Sequence, residues 1–461
     1  MSGEYEFLRE AVALLDRGEA QQAYQTLQGF LNSSREANNI EGEAAVLHLM
    51  GVAAQALGRP EEAEMLLQRS VRLWQTAGDS SRLSASYHQL GIIAQEQGRY
   101  EEARAYFDRS LLVARELGDR RAEATTYHQL GIIAQEQARY EEARAYFEQS
   151  LIVARELGDR RAEATTHHQL GIIAQEQGRY EEARTYFEQS LLVARELGDR
   201  RAEATTYHQL GIIAQEQARY TEAHAYFERS LLVARELGDR RAEAATLHQL
   251  GTVAQREGLN EKAQAYLQQS LMVTRQLGDK RGEAGSLHQL GLLAQVSGEL
   301  RRALEFYQES IELDRLMGNL HGTAVTLNNL GTVYQDIGDW DRARGAYDES
   351  LTVCRRIGDR KGLSSTLRNL AAAYARLGRV DEAAEVLREA VSQLRSIDET
   401  PSLAYALLLQ ALLLVERGDV DAARASLAES LELFERLGID APTHARELLD
   451  RLPVRASKTD V

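Results

Sequence analysis

Seven histidines, His48, His88, His128, His168, His208, His248 and His288, follow one another at intervals of 40 residues. Imidazole is suited to proton transfer near neutral pH and to metal ligation. From His88 onward each is followed by a glutamine (Gln89, Gln129, Gln169, Gln209, Gln249, Gln289), and the row continues as Asn328-Asn329 and Arg368-Asn369. A primary amide is donor and acceptor at once and can pair with a peptide backbone. Three uses of the row are open: a peptide-contacting surface, an inert polar stripe copied by duplication, or a ladder of metal ligands. The last is hard to build. Side chains on elements packed about 8–10 Å apart and pointing the same way converge poorly on one zinc at about 2 Å.

Other chemistry is sparse. There is no glycine-rich phosphate loop, Gly-x-Ser-x-Gly elbow or His-Glu-x-x-His. The single cysteine, Cys354, excludes an internal disulfide and stands where other repeats have a small residue such as Ala114, as a core filler would. Paired acids such as Glu101-Glu102 fall where a helix begins and suit its positive end. Arg120-Arg121 and its copies at 160–161, 200–201 and 240–241 each follow an aspartate, which suggests solvated ion pairing. The reading is of a protein that is not an enzyme and carries no cofactor or metal.

What must position the histidines is a repeated pair of helices. Residues 121–160 and 161–200 differ at only four positions, and alanine recurs at Ala23, Ala63, Ala103 and every fortieth residue to Ala423. In residues 81–120, Tyr87, Leu90, Gly91 and Ala94 form the i, i+3, i+4, i+7 stripe of an amphipathic helix, widened by Ile92 and Ile93. Gly98 makes a turn. A second helix then buries Ala103, Phe107, Ser110, Leu111, Ala114 and Leu117, before Gly118 ends it and Asp119 caps the next.

The run Tyr87-x-x-Leu90-Gly91-x-x-Ala94, Gly98-x-Tyr100-x-x-Ala103-x-x-x-Phe107-x-x-Ser110 resembles the tetratricopeptide repeat consensus. Ala94 stands for the usual tyrosine, and the usual terminal proline is missing. The added length and the Leu-Gly-Asp-Arg linker resemble the 40-residue variant of kinesin light chains, Pins-type adaptors and bacterial regulators. Asn328-Asn329-Leu330-Gly331-Thr332-Val333-Tyr334 is most similar to them. The resemblance implies an all-α, right-handed superhelical solenoid of about eleven helix-turn-helix repeats with a C-terminal capping helix. It further implies that the first helices line a concave groove. The stripe Thr125, His128, Gln129, Ile132, Gln135 and Glu136 would then carry contact, with Gln95, Gln175 and Gln215 in equivalent places.

The expected organisation is a divergent N-terminal capping repeat over 1–40, ten units over 41–440, a capping helix over 441–452 and a disordered tail over 453–461. The expected function is a scaffold holding a peptide or helix of a partner protein. Alternatives are a peptide-sensing regulator that changes pitch on binding and a self-assembling scaffold, so a homo-oligomer stays open. A net charge of −16 argues against nucleic acid or an anionic membrane as partner. With no basic-then-apolar start and no long uncharged apolar run, the cytoplasm is the expected compartment.

Overall fold

The computed structural model describes residues 2–396 and 400–452; the tail expected over 453–461 lies outside them. Among the described residues there are 23 helices and no strand. The chain divides into two compact units, one up to Arg219 and one from Tyr220. Each is a stack of antiparallel helix pairs in which contacts run mainly between consecutive helices, so the array is held by neighbour-to-neighbour packing. None of the described helices is long and apolar enough to cross a membrane.

One repeat shows why the pairs form. Asp159 accepts the Ala162 N–H at 3.0 Å and starts the helix Arg160–Glu176. Gly178, at φ 70°, turns the chain into the helix Tyr180–Leu197. Ala138 and Ala218 take this left-handed turn without glycine, at a cost of about 1–2 kcal/mol each. Buried Ser190 donates its hydroxyl to the Ala164 carbonyl at 3.0 Å, pinning second helix to first. The bond recurs from Ser150 to Ala124, Ser270 to Ala244 and Ser350 to Ala324.

Close approach is set by matched sizes. A Cβ on Gly171 would lie 2.7 Å from the ring of fully buried Phe187. Within the chain an aromatic residue at this second-helix position always faces glycine. Alanine appears there only opposite leucine, as in Ala371 with Leu387 and Ala411 with Leu427. Gly171→Ala is therefore expected to cost about 1–3 kcal/mol by overpacking, and adding Phe187→Leu should recover most of it. Denaturant titration of the two single variants and the double variant checks this; simple additivity would reject the pairing. A second exchange joins repeats. Ala194 precedes Ala202, but the larger Thr274 and Asp314 precede Gly282 and Gly322, where a Cβ would meet them at 2.7 and 2.5 Å.

Two expectations are corrected. Leu117 is 48% exposed rather than part of the core. Arg120 also does more than pair with solvated acids, for it meets Glu123, which is buried at 5% exposure, as well as Glu156. Glu163, Glu203, Glu243 and Glu283 are buried likewise, each between two cations: Arg235 stands 2.9 Å from Glu243, and Arg240 completes the clamp. At Leu363 the carboxylate is replaced, and Arg355 keeps only the contact to Glu389.

Near the C-terminus, the helix Thr443–Arg451 lays Ala445, with Leu452 just beyond it, against Leu408, Ala411, Ala423 and Leu427. Cys354 is buried at 1% exposure.

Candidate peptide-binding surface

The histidines of the row sit on the first helices, half-buried, and face into the stack. His88, His128 and His168 each turn an edge to the ring of their own repeat's second helix, Phe107, Phe147 and Phe187, at 5.2–5.3 Å. Nδ1 meets a hydroxyl on the next repeat: His48 with Ser86 at 3.0 Å, His88 with Thr126 at 3.4 Å, His288 with Thr326 at 2.9 Å. The Ser86 hydroxyl already donates to the Arg82 carbonyl, so His48 must donate from Nδ1. Burial pushes His48, His88, His168, His208 and His288 down to about 4, and lowers His128 and His248 as well. These imidazoles are neutral at pH 7, and His48, His88 and His288 tie their repeats to the next. Among the described residues, no three His, Cys, Asp or Glu side chains gather into a metal-binding group.

The amides form a second row beside them. Gln89 donates to Gln55, which donates to Glu96 at 2.8 Å, and Gln95 reaches Glu136 at 3.4 Å. From Tyr220 onward, Gln295 bonds Asp336 at 2.8 Å and Asn369 bonds Asn328 at 3.1 Å. Gln129, Gln169, Gln209, Gln249, Gln289 and Asn329 are half-buried in one register, Gln135 and Arg368 are half-buried beside it, and Glu136 is exposed. The Oε1 atoms of Gln175 and Gln215 are enclosed and accept no hydrogen bond.

Sequence reasoning missed the pockets between consecutive first helices. One of about 300 Å³ is floored by Ala124, Ala154 and Leu157 and rimmed by Arg121, Asp159 and Arg161. One repeat on, a pocket of about 450 Å³ has Ala164, Ala194 and Leu197 below and Arg161, Asp199 and Arg201 above. In the second unit the same register gives a pocket of about 260 Å³, lined by His321, Ala324, Cys354, Asp359 and Lys361. Leu157 and Leu197, the equivalents of Leu117, line these openings.

A family model described as tetratricopeptide repeat matches residues 82–156, 162–236, 242–315 and 322–396, and two further repeat models match 44–77 and 404–429. No curated protein matches the sequence. Among solved structures, the apo form of RapI is 14% identical with a TM-score of 0.62, covering 77% of this chain and 98% of that one. The apo form of the quorum sensor NprR from B. thuringiensis is 17% identical with a TM-score of 0.56, covering 76% and 98%. A signal transduction ATPase with a tetratricopeptide repeat sensor from Pyrococcus horikoshii is 14% identical with a TM-score of 0.58; the match covers 80% of this chain and only 54% of that protein. At these identities the likeness is one of fold.

Proposed function

The chain belongs to the tetratricopeptide repeat family, and on that premise we propose that it is a non-enzymatic, cytoplasmic scaffold that holds a segment of a partner protein against its first-helix face. The supporting observation is the row of half-buried amides, Gln129, Gln169 and Gln209, that recurs once per repeat on the first helices. In this reading the histidines set the spacing of the repeats and the glutamines make the contact. A regulator that changes pitch on binding is the second reading, supported by the shared fold with a protein described as a quorum sensor.

Replacing Gln129, Gln135, Gln169, Gln175, Gln209 and Gln215 together by alanine leaves the core untouched and keeps a good helix former at each position. At about 0.5–1.5 kcal/mol per lost hydrogen bond, partner affinity should fall about a hundredfold or more. Changing the exposed second-helix residues Gln149, Ile152 and Gln189 should leave it unchanged. A photo-crosslinker at 169 or 209 should capture the partner, and one at 189 should not. Capture from 189 alone would reverse the assignment.

A further inference from the structure

We propose that the outward face of the second helices in the first unit docks against the same face of the second unit in another copy of this chain, with the order of repeats reversed. The observation behind it is a row of exposed apolar side chains at one position of the second helix. Leu112, Ile152 and Leu192 are 59%, 48% and 58% exposed in the first unit, and Leu232 and Met272 are 59% and 53% exposed in the second. This position lies opposite the packed side of its helix. In the first of these repeats Ala103, Phe107, Ser110 and Ala114 are buried, whereas Asp108, Leu112 and Glu116 face solvent. A surface helix ordinarily carries polar or charged residues there. Copying of one repeat does not account for the row. Residues 121–160 and 161–200 differ at only four positions, and one of those exchanges Ile152 for Leu192. Three residues before the row, Arg109 gives way to Gln149 and Gln269, and four residues after it Glu116 gives way to Gln276, while the row itself stays apolar.

The ends of the row select its occupant. The repeat before it carries Arg72 at this position and the repeat after it carries Glu312. Both are exposed, and among the described residues neither side chain pairs with another charge. A second copy laid in reverse order brings Arg72 to Glu312, Leu112 to Met272 and Ile152 to Leu232. Laid in the same order, it would set Arg72 against Arg72. Both faces are built from one 40-residue repeat, so their side chains advance in equal steps. Beside Ile152, the charges of Glu148, Arg155 and Glu156 are already balanced by Arg144, Glu163 and Arg120. Beside Met272 stand Gln268, Gln269 and Gln276. Little like charge opposes the approach at these places. The contact leaves the first-helix face open and does not depend on what that face holds.

Sedimentation of the full chain should show association that grows with concentration. Ile152→Asp together with Leu232→Asp, both at exposed positions, should weaken it about a hundredfold with circular dichroism unchanged. Arg72→Glu alone should weaken it about tenfold, and adding Glu312→Arg should restore it. The order of repeats is read by mixing isotope-labelled and unlabelled chains that carry a photo-crosslinker at 112. Links between labelled and unlabelled chains should then fall near Met272. Links that join 112 to 112, a parent chain that stays monomeric at about 0.1 mM, or association indifferent to both sets of substitutions would overturn the inference. Capture of a different protein from 112, with the chain itself monomeric, would overturn it as well.

Discussion

As the pH falls from about 6.5 to about 4, the chain up to Arg219 is expected to lose its structure before the chain from Tyr220 onward. The first unit contains His48, His88, His128, His167, His168 and His208, all lowered chiefly by burial; the second has His248 and His288. An unfolded imidazole binds its proton near 6.5, whereas folded His48, His88, His167, His168, His208 and His288 hold out to about 4. Between those values the unfolded state binds more protons, so stability is complete above the window and lost as pH falls through it. Each partly buried group contributes on the order of 1–3 kcal/mol. Carboxylates held low by arginine or lysine, Glu163 in one unit and Glu283 in the other, add to acid loss in both.

His167 is the most exposed to this argument, being only 2% accessible to solvent. Its Nε2 lies 3.1 Å from Arg155 and its Nδ1 has no partner. Tyr127 and Tyr207 at the equivalent positions accept from Arg115 and Arg195 through their hydroxyls, with no imidazole to protonate. His167→Tyr should therefore move the acid transition of the first unit to lower pH. Hydrogen exchange across a pH series reads both effects; simultaneous loss in the two units would contradict the first.

The second large effect concerns a buried charge. Removing both cations from Glu243, by Arg235→Leu with Arg240→Leu, should destabilise its repeat by about 3–5 kcal/mol, since a carboxylate at 6% exposure is left uncompensated. Adding Glu243→Leu should restore most of the loss, because the chain already uses Leu363 and Leu403 at this position. Urea unfolding of the double and triple variants checks both statements. A double variant as stable as the parent would show that solvent reaches the carboxylate.

The sequence by itself determined the helix pairs, their register and their turns. Asp159, Gly178 and Gly198 act on their own few residues, and the Ser190–Ala164 bond spans only 26 positions. A 40-residue period therefore reports the packing partner as well as the local conformation. What only the tertiary structure decided is how far one repeat rotates against the next. That rotation turns His88 toward Thr126, encloses Glu163 between Arg155 and Arg160, leaves Leu157 at a pocket rather than in the core, and makes Arg161 a wall shared by two pockets. It is set by pairs of side-chain sizes across the junction, such as Thr274 against Gly282, and no single helix carries that information.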